Sequence, residues 1–121
     1  MQNPRAIAVD PMNGLIFWSD WDNNPRIERA TMSGSNRTII FNISSSVNGG
    51  GWPNGLTLDY LFKRIYYIDA KSDSIHVLSY DGLLHKEIIR NTISEAHGYS
   101  LALYDDYVYW SDWKSGSIYR V

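Results

Sequence analysis

The sequence predicts an all-β fold assembled from copies of one four-stranded unit. Three observations carry that reading. Short strand-favouring runs alternate with turn signals, and no long segment places apolar residues at a helical period. A tetrapeptide of two aromatics, one variable residue and Asp occurs as Phe17-Trp18-Ser19-Asp20, Tyr66-Tyr67-Ile68-Asp69 and Tyr109-Trp110-Ser111-Asp112. Before the first two copies stands a matching run, Pro4-Arg5-Ala6-Ile7-Ala8-Val9-Asp10 and Pro53-Asn54-Gly55-Leu56-Thr57-Leu58-Asp59, each ending ten positions ahead of the motif Asp.

The turn signals are Met12-Asn13-Gly14, Ser33-Gly34-Ser35, the stretch 48–51, Asp81-Gly82 and Lys114-Ser115-Gly116. Between them, Leu15-Ile16-Phe17-Trp18 and Arg64-Ile65-Tyr66-Tyr67-Ile68 read as strands. A further strand follows each motif: Arg26-Ile27-Glu28-Arg29-Ala30, Ser74-Ile75-His76-Val77-Leu78 and Ser117-Ile118-Tyr119-Arg120. In the first two copies a fourth follows, Arg37-Thr38-Ile39-Ile40 and Glu87-Ile88-Ile89-Arg90. The repeats run approximately over residues 3–52, 53–97 and 98–121, the last incomplete. Four strands in roughly 40–45 residues is the size of a propeller blade.

Blade packing explains the side-chain pattern. A blade is covered on both faces by its neighbours, so its strands are apolar on both sides, as in Ala6-Ile7-Ala8-Val9 and Leu101-Ala102-Leu103. Ala8, Thr57 and Ala102 hold one place in the repeat, where inner strands crowd an axis.

Composition narrows the function classes. The 121 residues carry 11 Lys and Arg against 13 Asp and Glu, a formal charge of −2, with both signs scattered. No basic stripe is present to neutralise phosphates, so nucleic acid is not an expected partner. No apolar run is long enough to span a bilayer, and the opening residues Met1-Gln2-Asn3-Pro4-Arg5 lack the apolar core of a signal peptide. There are no cysteines, hence no disulfide framework and no Cys-ligated zinc. Aromatics are abundant, with nine Tyr and five Trp, enough for stacked interior layers or a recognition surface.

These motifs resemble the YWTD propeller (class B repeat) of the low-density lipoprotein receptor family. Trp18-Ser19-Asp20-Trp21 with Pro25-Arg26-Ile27-Glu28-Arg29-Ala30 is similar to one blade of the large related receptors, and Gly51-Trp52-Pro53-Asn54-Gly55-Leu56-Thr57-Leu58-Asp59-Tyr60 to the next. The likeness is strongest to the giant endocytic receptor of that family, with its Wnt co-receptors nearly as similar. The resemblance covers almost the whole chain and implies a partial six-bladed propeller of about two and a half blades. A closed ring needs about 6 × 40–45 residues, so the chain is expected to be a piece of a longer one. Two positions depart from the pattern: Ile68 stands where Thr or Ser is usual, and Tyr104 stands where Asp10 and Asp59 stand.

The resemblance and the residues together assign roles. Asp20, Asp69 and Asp112 are expected to tie loop to strand through backbone N–H groups rather than to catalyse. Asp10 and Asp59 are expected to close turns. Trp18, Tyr67 and Trp110 are expected as wedges between blades. Trp21 and Trp113 follow a motif Asp, and Trp52 stands in a Gly-rich loop, positions where a large ring is hard to bury; exposed Trp among polar residues is the chemistry of protein recognition. Arg5, Asn54 and His97 lie near the start of the inner strand, and in the family the matching positions line the ligand-binding face. The expected ligand-binding surface is therefore Arg5, Trp21, Trp52, Asn54, His97 and Trp113. His97 is a candidate acid-sensitive group, whereas His76 and His85 are expected as ordinary surface histidines. Asn36-Arg37-Thr38 and Asn42-Ile43-Ser44 fit the N-glycosylation pattern.

The implied partners are extracellular protein ligands, with EGF-like and cysteine-rich modules as neighbours in the parent chain. The implied location is the outer part of a single-pass cell-surface receptor, or a secreted protein if the parent lacks a span. A signalling co-receptor or basement-membrane glycoprotein is the alternative setting. A propeller hydrolase is the remaining class, and it needs convergent Glu, Asp, Asn or His at the channel. The inner strands offer Ala, Ile, Leu, Thr and Val. No catalytic residue, metal ligand or cofactor is expected, and the segment itself is not expected to insert into a membrane.

Overall fold

The computed structural model describes residues 3–47, 49–90 and 97–121. Met1 and Gln2 of the opening residues and Asn48 of the 48–51 turn lie outside them. The first sheet is β1 (Pro4–Asp10), β2 (Leu15–Asp20), β3 (Arg26–Thr31) and β4 (Thr38–Asn42). One turn of helix, α1 (Ile43–Ser46), leads on. The second sheet is β5 (Pro53–Asp59), β6 (Arg64–Asp69), β7 (Ser74–Ser79) and β8 (His85–Arg90). The third holds three strands, β9 (Gly98–Tyr104), β10 (Tyr107–Asp112) and β11 (Ser117–Arg120).

Each sheet is an antiparallel meander in chain order. Their registers coincide. Trp18 lies opposite Ile7 and Glu28, Tyr67 opposite Leu56 and His76, and Trp110 opposite Leu101 and Tyr119. The motif thus fixes one column through all three sheets. The first strands stand side by side, β1 against β5 and β5 against β9. This is the blade arrangement of a propeller, and the small residues Ala8, Thr57 and Ala102 occupy one level of its innermost strands, opposite Phe17, Tyr66 and Tyr109.

Two cores hold the sheets together. Phe17, Ile27 and Phe41 from the first sheet meet Leu56, Leu58, Ile65, Tyr67, Leu78 and Tyr80 from the second, with Ile43 and Val47 capping one end. Ile68 and Ile75 from the second meet Leu101 and Val108 from the third, with Tyr66, Trp110 and Leu103 packed alongside. Tyr67 and Trp110 therefore sit between sheets. Trp18 is also buried, but on the other face of the first sheet, under the Arg37 guanidinium 5.6 Å from its ring. Each fully buried large side chain such as Phe17, Ile65 or Tyr67 contributes about 1.5–3 kcal/mol.

The departures in sequence have visible consequences. Ser19 Oγ accepts the Ala6 N–H at 3.2 Å, whereas Ile68 spends its place in the motif filling the second core. In the third sheet the turn between β9 and β10 is two residues, Asp105-Asp106, against four between β1 and β2, and Asp105 takes a left-handed conformation at φ 54°.

Candidate functional site

The motif carboxylates set the site. Each is buried, and each accepts the backbone N–H of the residue just before its sheet's first strand. Asp20 takes Asn3 N–H at 2.9 Å, Asp69 takes Trp52 N–H at 3.3 Å, and Asp112 takes His97 N–H at 2.7 Å. Asp69 also accepts from Gly51 at 2.7 Å, Lys71 at 3.0 Å and Ser72 at 3.2 Å, and Asp112 from Lys114 at 3.0 Å and Ser115 at 2.9 Å. Burial pushes the Asp112 carboxyl up, but the N–H groups of Ser115, His97 and Lys114 outweigh it and hold the group below its usual range. A backbone bond repeats beside each: Trp21, Ala70 and Trp113 donate N–H to the carbonyls of Asn3, Trp52 and His97 at 3.2, 2.8 and 3.3 Å. A loop that must leave a strand and return beside the next is pinned at both ends.

The pinned residues meet at one end of the sheets. The Arg5 guanidinium lies 5.1 Å from the Trp21 ring, a cation–π contact. Trp21 and Trp52 meet edge-on at 6.0 Å, Trp52 and His97 at 6.1 Å, and His97 and Trp113 edge-on at 5.3 Å. Below this row, Arg5 Nη2 donates to Asn54 Oδ1 at 3.4 Å, and Asn54 Nδ2 donates to the Gly98 carbonyl at 3.2 Å. All six residues expected at the ligand-binding surface are brought together, and the row crosses all three sheets. Trp52 is 40% and Trp113 65% exposed, so the rings offer apolar area to solvent.

Two clefts flank the row. One of about 320 Å³ lies at the inner strands, lined by Arg5, Asn54, Gly55, Tyr99 and Ser100. The other, about 420 Å³, lies between Trp21 and Trp52 and is lined also by Asp22, Asn23, Pro25 and Lys71. Tyr99 and Lys71 were not singled out in the sequence. Tyr99 follows Gly98 as Arg5 follows Pro4 and Asn54 follows Pro53, so the repeat offset itself carries the signal.

A buried ion network was also illegible. Arg26 bonds Asp22 at 3.1 Å, Glu28 at 3.1 Å and Asp20 at 3.4 Å, and Arg37 closes on Glu28 at 2.8 Å. Burial pushes Glu28 up, yet Arg37 and Arg26 outweigh it and hold the carboxyl low. Seeing this requires the loop and strand geometry that gathers Asp20, Asp22 and Arg37 around Arg26 and Glu28.

The histidine expectation needs correction. His76 is fully buried and His85 half-buried. Strand β7 is covered on both faces, so a polar residue inside it has no solvent side to occupy. The His76 ring stacks on Tyr67 at 4.9 Å and on His85 at 5.0 Å, and His85 stacks on Phe41 of the first sheet at 4.4 Å.

Asn36 and Asn42 are both exposed; Asn36 precedes β4, the outer strand of the first sheet, and Asn42 ends it. Among the described residues no group of three or more His, Cys, Asp or Glu is placed to hold a metal ion, and no helix is long and apolar enough to cross a membrane.

Comparison with known proteins agrees with this geometry. Residues 14–60 match the model of the low-density lipoprotein receptor repeat class B. The chain is 39% identical over 119 residues to the vitellogenin receptor Yl of Drosophila melanogaster, covering 98% of this chain and 6% of that protein. It is 37% identical over 121 residues to the low-density lipoprotein receptor-related protein 5-like protein of Homo sapiens, covering all of this chain and 45% of that one. A solved chain from the crystal structure of a nidogen/laminin complex superposes with a TM-score of 0.84 at 30% identity, over 98% of this chain and 42% of that chain. The chain thus spans less than half of each of these proteins. Motif, sheet register and overall shape together make it a run of low-density lipoprotein receptor class B (YWTD) repeats, folded as part of a β-propeller.

Proposed function

We propose that this chain is an extracellular, non-enzymatic docking segment of an endocytic receptor, and that protein ligands bind across Arg5, Trp21, Trp52, Asn54, His97 and Trp113. The observation that carries the reading is the unbroken row of ring contacts from Trp21 through Trp52 and His97 to Trp113. A binding surface needs rigid aromatic anchors with few rotamers to freeze; here the N–H groups of Trp52 and His97 are held by buried carboxylates and those of Trp21 and Trp113 by the carbonyls of Asn3 and His97. Asn54 offers an amide to pair with a ligand amide, and Arg5 a fork for a carboxylate or carbonyl.

The repeats run approximately over 3–52, 53–97 and 98–121, the last incomplete; the first supplies Arg5, Trp21 and Trp52 to the surface, the second Asn54 and His97, and the third Trp113. EGF-like and cysteine-rich modules are the expected neighbours in the parent chain, which is anchored by a single membrane span. The receptor setting draws on curated relatives named as vitellogenin receptors in Drosophila melanogaster and Solenopsis invicta. A second reading, a secreted basement-membrane glycoprotein, draws on the likeness to the chain from the nidogen/laminin complex.

The test is binding of defined extracellular proteins, vitellogenin and laminin first, to the immobilised protein and to Trp52→Ala. Loss of at least tenfold in affinity, with unchanged thermal stability, is expected of a central anchor. Equal binding by both forms removes the proposed surface. Preference for laminin over vitellogenin favours the matrix reading.

A further inference from the structure

The contact between the first and second sheets holds a pair of histidines that the docking surface does not use. His76 Nδ1 and His85 Nε2 are 3.0 Å apart, Tyr67 OH lies 3.3 Å from the same His85 nitrogen, and Ser74 Oγ lies 2.6 Å from His76 Nε2. Whichever ring donates across the 3.0 Å contact, the other nitrogen must be bare. A pair carrying protons on both facing nitrogens cannot keep this bond, and two stacked cations at 5.0 Å repel in a site with little water.

The repeat shows what the position otherwise holds. The strand registers make His76 the counterpart of Glu28 in the first sheet and of Tyr119 in the third, since they lie opposite Tyr67, Trp18 and Trp110. His85 lies opposite Leu78, and, one residue before Lys86, which pairs with Val77 as Thr38 pairs with Arg29, it matches Arg37 beside Trp18. The first sheet fills these places with an Arg–carboxylate pair at 2.8 Å. The second fills them with two bases and no acid between them.

The charged groups around the pair do not replace that acid. On β6, Asp69 is committed to four backbone N–H groups. On β8, Glu87 is bound by Arg90 at the surface at 2.6 Å, and Lys86 is exposed. From the first sheet the pair meets the uncharged ring of Phe41, while Arg29 reaches the Tyr80 carbonyl instead.

We propose that the Phe41–His85–His76–Tyr67 stack is a proton-operated wedge, closed when both imidazoles are neutral, whose protonation in acid loosens the outer edge of the first sheet from the second.

Burial, reinforced by His85, lowers His76 to about 4, and burial likewise lowers His85. The sign follows from linkage. The unfolded chain binds protons below about pH 6.5 and the folded pair resists until lower pH, so stability is whole above that value and declines as pH falls toward 4. From His76 alone, a fall from about pH 7.5 to about pH 5 raises the unfolding equilibrium constant roughly thirtyfold.

The test compares denaturant stability of the protein and of His76→Phe/His85→Phe from pH 7.5 to 5, with amide exchange followed in β4 and β8. The wild type is expected to lose stability by at least tenfold in the unfolding constant, with faster exchange in both strands, and the double variant to lose much less. Equal slopes for the two proteins overturn the proposal. If the variant does not fold, imidazole NMR of the wild type decides: both rings neutral well below pH 6 support the wedge, and ordinary titration near pH 6.5 overturns it.

Discussion

The phenol of Tyr80 donates to the buried carboxylate of Asp10 at 2.8 Å across seventy positions of sequence, joining the far end of the second sheet to the first hairpin. Asp10 also accepts from the backbone and side-chain amides of Asn13 at 3.2 and 2.9 Å. One carboxylate thus closes a turn and fastens two sheets. Burial pushes it up, but Asn13 and Tyr80 outweigh that and hold it low. Its contribution is whole above the ordinary Asp value and is lost as pH falls through the lowered one. Tyr80→Phe is expected to destabilise by about 1.5–3 kcal/mol, the range for a bond to a charged acceptor, and to flatten stability below about pH 4. Urea unfolding at neutral pH and in acid checks both.

Asp69 accepts four N–H groups, two of them from Gly51 and Trp52. Asp69→Asn exchanges one acceptor oxygen for a donor facing other donors. Destabilisation of about 1–3 kcal/mol is expected. Amide exchange at Gly51, Trp52, Lys71 and Ser72 should quicken selectively. If those four amides keep their protection, the carboxylate is not what pins the loop.

Gly82 turns the chain between β7 and β8 at φ +78°, and a Cβ there would lie 1.8 Å from the Ile40 carbonyl oxygen of the first sheet. Gly116, at φ +68°, has nothing within 4 Å of such an atom. Gly116→Ala should therefore show only the left-handed backbone cost, about 1–2 kcal/mol. Gly82→Ala should cost clearly more, on the order of 3 kcal/mol, because the sheets must part. Thermal melts of the two variants separate conformational strain from contact.

Asn36 is exposed in a left-handed turn at φ 53°, with Thr38 Oγ1 donating to its carbonyl at 3.3 Å. Secretion from a glycosylating cell should add a glycan there. Thr38→Ala should abolish the corresponding mass increment, and an unchanged mass after glycosidase treatment of the wild type would contradict the assignment.

The sequence exposed the repeat because its chemistry is local. An Asp that must receive N–H groups from its own loop, and an aromatic that must fill the gap to the neighbouring sheet, recur at one spacing. The same spacing gathered Arg5, Trp21, Trp52, Asn54, His97 and Trp113, since equivalent positions of stacked units lie at one end. What stayed hidden depends on which faces are covered. His76 and His85 read as surface residues because polar residues in strands usually face water, and only sheet stacking shows that β7 has no wet face. The Arg26, Glu28 and Arg37 network was hidden because nothing local relates position 28 to 37. The position of Trp18 was half legible: its burial was expected, but not that a guanidinium covers it.

The central claim is that loops from all three sheets form one shared docking surface. Hydrogen-exchange or hydroxyl-radical footprinting of the protein with and without a bound ligand reads it most directly. Joint protection of the segments bearing Trp21, Trp52 and Trp113 is the expected result. Protection confined to the outer strands β4 and β8, with those three tryptophans untouched, would contradict it.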